Sequence, residues 1–168
     1  MLTIPTMSTI STNQSEKLPV SFREKSAWAC AATIIAVFVP YFVHVFRLFE
    51  QQELTAMSIL PAFVGAVIVQ VALLVAAHIV FAIRAKQEQK DERDLAIESK
   101  SFRNAYFVCG FFAFFGVCWV IMYTIAVGPK AAAPALTPIT ISQMALFCFV
   151  MAEVTKYLTQ AVSYRRGS

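Results

Sequence analysis

Charge is scarce in this sequence and missing from most of its length. Charged side chains make up 14% of the 168 residues, where a soluble domain carries about 25%. Glycine is equally sparse, at five residues, and none falls in a phosphate-cradling loop. The four cysteines (Cys30, Cys109, Cys118 and Cys148) form no CxxC pair. They read as buried thiols behaving as small hydrophobes, not as a metal or redox set. The two histidines are His44 and His78. On neighbouring antiparallel helices their depths would differ by roughly 15–20 Å, so they cannot share one iron or zinc. No nucleophile–base arrangement and no catalytic acid pair is visible. With these gaps, no enzyme activity, bound cofactor or metal site is expected, and an enzyme of the membrane interior ranks behind other readings. They leave a chain without catalytic residues that the sequence can name.

What remains is apolar. Four stretches hold no Asp, Glu, Lys or Arg: Ser26–Phe46, Leu54–Ile83, Asn104–Pro129 and Ala131–Ala152. A helix needs roughly 20 apolar residues to cross a bilayer, and each stretch is long enough. The expected fold is all-α: a four-helix transmembrane bundle of antiparallel up-down topology. The spans fall at about 26–49, 57–83, 104–127 and 139–164, within one membrane domain, 26–164. Residues 1–25 form a Ser/Thr-rich polar tail, expected to be mobile because it has too little apolar surface to offset ordering entropy. The tail lacks a charged start followed by an apolar run, so it does not read as a removable signal. Residues 165–168 form a short C-terminal end.

Orientation follows from Lys and Arg. All of the 14 basic residues except Arg47, Lys130 and Lys156 lie in the tail, in the loop 84–103 or at the C-terminus. Positive segments stay inside, so both termini and the loop 84–103 are expected in the cytoplasm, the chain being a multi-pass protein of a bacterial inner membrane. The net charge of +4 is thus a topology signal. The basic residues are split between short segments and mixed with acids, which argues against nucleic acid as a partner. The partners expected are the lipid bilayer and either a second copy of the chain or another membrane or cytoplasmic protein.

Small residues recur at close spacing in span two (Ala62 with Ala66, Ala72 with Ala76) and span three (Gly110, Ala113, Gly116). Such strips let helices approach closely. Pro40 lies inside span one, where it removes a helical hydrogen bond. Prolines 129, 134 and 138 forbid a continuous helix across the outer connection.

Span four contains charges. Glu153 lies roughly 15 Å deep, counted back from Tyr164, and Lys156 is one turn nearer the end. Intramembrane ionisable residues are functional candidates by default. At i,i+3 the two can neutralise one another. Tyr157, Gln160 and Tyr164 extend the same face. Gln70, in mid-span two, sits at a depth similar to Glu153, and a hydrogen bond between spans two and four would satisfy both. Glu153, Lys156, Tyr157 and Gln70 form the intramembrane polar candidate. Asp91, Glu92, Arg93 and Asp94, with Arg165 and Arg166, form a second. They are expected to engage a cytoplasmic partner or to brace the loop against the C-terminus. The acids of this loop are neutralised by Lys90 and Arg93, so a divalent-cation site is not expected.

The segments Lys90–Glu98 (KDERDLAIE), Asn104-Ala105-Tyr106 and Tyr164-Arg165-Arg166-Gly167 together resemble a family of small bacterial integral membrane proteins. Arg23–Trp28 and Pro40-Tyr41-Phe42 fit the same pattern. The resemblance spans about Phe22 to Gly167. It implies four helices and a bacterial inner-membrane location, and carries no catalytic residue across; some relatives are encoded beside small helix-turn-helix regulators. Many relatives end in YRRG plus an aromatic residue, whereas Ser168 follows here.

Two functional expectations follow. The first is a non-enzymatic accessory or sensor-like subunit acting through the charged loop. The alternative is an oligomeric proton- or ion-coupled transporter or permeation subunit using Glu153.

Overall fold

The computed structural model describes residues 22–84 and 91–166. It consists of α1 (Phe22–Glu50), α2 (Ala56–Arg84), α3 (Glu92–Val127), the single turn α4 (Pro129–Ala132) and α5 (Pro138–Arg166). No strand occurs among the described residues. Helices α1, α2, α3 and α5 are each long and apolar enough to cross a bilayer, and the chain is a multi-pass, up-down four-helix membrane protein.

Local chemistry sets the helix ends. Three helices open on side-chain caps. At α2 the Thr55 and Ser58 side chains each accept the other's backbone N–H, at 3.2 and 3.0 Å, a reciprocal arrangement that satisfies two orphan donors. At α3 Asp91 caps Glu92 N–H at 2.7 Å, and the Asp94 carboxylate accepts from Asp91 N–H at 3.0 Å. At α5 the Thr137 hydroxyl accepts from Thr140 N–H at 3.2 Å, and Pro138 takes the first helical position, where its missing N–H costs nothing. Helix α1 ends in a paired closure. Glu53 N–H reaches Leu48 O at 2.9 Å and Gln52 N–H reaches Phe49 O at 3.1 Å, with Gln52 in the left-handed region at φ 59°. This is the usual helix stop with glutamine in glycine's place.

The sequence reading ends span two at 83 and starts span three at 104. The mix of helix formers between them predicts that the helix ends project there, and in the structure α2 runs to Arg84 and α3 begins at Glu92. The capping acids and the lack of Gly or Pro here extend α3 beyond its apolar run. At about 1.5 Å per residue, the 36 residues of α3 reach roughly 54 Å, against ~30 Å of hydrocarbon. The polar tail expected over 1–25 lies outside the described residues up to 21, while Phe22–Lys25 form the first turn of α1. The final residues 167–168 also lie outside them.

Helix α5 packs on both α1 and α3, and α2 packs chiefly on α1, bordering α5 across a cavity. Each closely packed neighbour runs antiparallel. Helices α2 and α3, consecutive in sequence, make no extensive contact with each other among the described residues. Small residues let the central helices close up. Ala27 and Ala31 of α1, Ala105 of α3 and Ala161 of α5 are buried, Ala161 fully. Near the opposite end from the termini, Tyr41, Val45 and Ile59 form a core with Phe38, Phe42, Ala62, Phe63, Ala66 and Leu146 around it.

The expected small-residue strips are only partly used. Ala62 and Ala66 pack on the Tyr41 cluster, and a side-chain carbon on Gly116 would sit 3.1 Å from Met144 Cε of α5. Ala72, Ala76, Gly110 and Ala113 are exposed. Small side chains permit close approach but do not say from which direction, and α2 and α3 each have one principal neighbour. The remaining faces carry Phe107, Phe111, Phe114 and Phe115 on α3 and Val64, Ile68, Val75 and Ile79 on α2, all exposed. Such a surface is stable only against lipid.

Candidate functional site

Two polar clusters interrupt the apolar packing. The first is inside the membrane span. On α5, Lys156 Nζ donates to Glu153 Oε2 at 2.6 Å, the i,i+3 pairing the sequence allows. Nζ also lies 4.6 Å from the Tyr157 ring centroid and 5.3 Å from that of Phe102 on α3. Aromatic faces attract cations. The ammonium is therefore held between a carboxylate and two rings, turned towards α3.

Gln70 behaves differently from expectation. It is buried, at 8% exposure, yet neither its amide nitrogen nor its amide oxygen has a hydrogen-bond partner. The expected bond to Glu153 is not made; Glu153 Oε2 instead accepts from Lys156 on its own helix. Gln70, Glu153 and Tyr157 instead line one cavity of about 290 Å³ between α1, α2 and α5. The structure thus brings the four members of the intramembrane set to one region without joining Gln70 to the others.

The second cluster is at the end of the bundle that carries both termini. Arg23 of α1 meets Asp94 of α3 at 2.6 Å, the side chains 24% and 14% exposed. Asp94 also accepts the Asp91 N–H, so one carboxylate both caps α3 and ties it to α1. Arg23, Asp94, Glu98, Gln160 and Tyr164 surround a pocket of about 260 Å³ with Cys30 and Tyr157 at its inner wall. Beneath it, Gln160 Nε2 donates to Ser101 Oγ at 3.1 Å, and Ser101 donates to Glu98 O at 2.7 Å. Asn104 Nδ2 reaches Thr159 Oγ1 at 3.4 Å. Asp91, Glu92 and Arg93 are exposed, as are Arg165 and Arg166. Among the described residues it is Arg23, from the first turn of α1, that pairs with Asp94.

The sequence reading missed three groups. The Tyr41 hydroxyl donates to Gln143 Oε1 at 2.7 Å, linking α1 to α5 near the opposite end. Gln143 lies in the same helix as Gln160, and a scan for polar residues along the whole of span four finds it. Glu24, buried at 4% exposure, sits in the first turn of α1, which the sequence reading assigns to the tail. Arg23 was used only as a topology signal. Recognising its role needed knowledge of which helices meet.

Among the described residues no group of three or more His, Cys, Asp or Glu side chains could hold a metal ion. His44 is exposed, and the His78 side chain lies outside the described residues. In the second cluster Asp94 is occupied by Arg23 and by the Asp91 N–H, and Asp91 by the Glu92 N–H. The clusters hold helices in register and present charge. No protein-family model matches the chain, and no curated protein or solved structure matches it either.

Proposed function

We propose that the protein is a non-enzymatic accessory or sensor-like subunit of a bacterial inner membrane, working through contacts made at its basic end, which faces the cytoplasm. The observation that carries this reading is the projecting start of α3. Residues Glu92–Ser101 stand beyond the apolar run as a capped helix fastened to α1 through Asp94 and Arg23. Along this helix Glu92 and Arg93 are exposed, and so is Leu95, at 55%. A rigid charged helix with an apolar side chain left in the open is suited to another protein surface. The resemblance to small bacterial membrane proteins supports the same reading, since Arg23, Asp94 and Tyr164, from three of the five segments that fit it, surround one pocket.

The test is affinity purification from native membranes in mild detergent. A stoichiometric partner is expected with the unaltered chain and lost with Arg93→Glu, while the variant itself is recovered normally. Undiminished recovery of the partner with Arg93→Glu overturns the reading.

The permeation alternative draws support from Gln70 and Glu153 lining a common cavity. It requires Glu153 to leave Lys156 during each cycle. Its test is a pH-dependent flux in liposomes that Glu153→Gln removes; flux no greater than in empty liposomes sinks it.

A further inference from the structure

We infer that the cavity between α1, α2 and α5 is a binding site for an uncharged, lipid-soluble molecule carrying one hydroxyl or amide head, entering sideways from the bilayer. A buried amide is expected to hold hydrogen-bond partners, and in hydrocarbon an unmet polar group is more costly than at a water-exposed site. Gln70 has none for either atom, although it borders an open volume of about 290 Å³. Its side chain offers two donors and one acceptor, which a hydroxyl or an amide complements.

The walls define the rest of the ligand. Apart from Gln70, Glu153 and Tyr157 they are apolar, with Phe38, Phe63, Leu146 and Val150 prominent. Glu153 and Lys156 neutralise each other, so the wall offers no net charge to an ionised guest, which would be stranded at this depth. An apolar cavity of about 150 Å³ accepts benzene. The volume here therefore suits an aliphatic molecule of about ten to twelve heavy atoms. The route in is lateral. Val71 of α2 and Phe149 of α5 both line the cavity and face outward, at 54% and 58% exposure. Helices α2 and α5 have no extensive packing against one another to close that gap.

The probe is an eight-carbon primary alcohol with a diazirine in its chain, photolysed with the purified full chain in lipid nanodiscs and mapped by mass spectrometry. Cross-links are expected on α2 around Val67–Val71 and on α5 around Leu146–Val150. The same diazirine on an eight-carbon alkane should label these segments about tenfold less, the discrimination expected from loss of a buried hydrogen bond. Gln70→Leu should abolish the difference between the two probes. Leu146→Phe, which fills the cavity and leaves Gln70 in place, should reduce labelling by both probes and covers the case in which Gln70→Leu does not fold. Equal labelling by alcohol and alkane in the unaltered chain overturns the inference. So does labelling no stronger than on the lipid-facing phenylalanines of α3, or labelling unchanged in Leu146→Phe.

Discussion

Lys156 and Glu153 show how one turn of helix makes two charges tolerable in an apolar setting. Each alone would cost several kcal/mol at this depth. At 2.6 Å, with two aromatic rings against the ammonium, they present almost no net charge to the bilayer. The consequence is asymmetric. Lys156→Met leaves a carboxylate without its counter-ion, and should lower stability by about 1–3 kcal/mol. The double variant Lys156→Met with Glu153→Gln should recover most of that loss. Unfolding in mixed micelles with increasing dodecyl sulfate would measure both. A double variant as unstable as the single one would show that the aromatic contacts, and not the pairing, set the cost.

Elements are fitted to one another through small contacts at particular positions. Gly116 lets α3 pass Met144 of α5, where a side-chain carbon would come within 3.1 Å of a flexible methyl group. Gly116→Ala should therefore be nearly neutral, whereas Gly116→Val should cost about 1–3 kcal/mol by forcing α3 away from α5. Gly110 has open space around it, so Gly110→Val serves as the control and should cost about 1 kcal/mol or less. The same unfolding measurement separates them, and equal losses at the two positions would contradict the packing described. At the end of α1, Gln52 occupies a left-handed conformation that glycine adopts without strain. Gln52→Gly is expected to raise stability by about 0.5–1 kcal/mol, with no change in the bonds from Glu53 and Gln52 that close the helix.

At the scale of the molecule the close contacts between spans run α2–α1–α5–α3, with α2 and α5 meeting across the Gln70 cavity. Helix α5, which packs on both α1 and α3, is the least apolar of the four, and α2, which packs chiefly on α1, is the most apolar. The polar side chains of α5 are tolerable in lipid because they are paired or turned to neighbouring helices. Because α2 is fastened chiefly to α1, it is the span with least holding it. Hydrogen exchange in detergent should find its amides between Val64 and Leu74 exchanging at least about tenfold faster than those of α5 between Val150 and Gln160. Equal protection would mean that α2 and α5 close on each other more firmly than the contacts indicate.

The number of spans, their approximate limits and the up-down path were legible in the sequence, because hydrocarbon permits few solutions and an uncharged run of twenty residues leaves a plain mark. The Glu153–Lys156 pair was legible for a related reason, since both partners lie on one helix and their geometry follows from spacing. The neighbour of each span was not legible, because between apolar helices there is no hydrophobic preference for one face over another. Tertiary structure alone decided that α5 packs on both α1 and α3, and that Ala27, Ala31 and Ala105 serve as the close contacts while Gly110 and Ala72 face outward. It also decided that Arg23 pairs with Asp94. Gln70 shows the division most plainly: its depth could be counted along the chain, but its lack of any partner depends on three helices meeting around it.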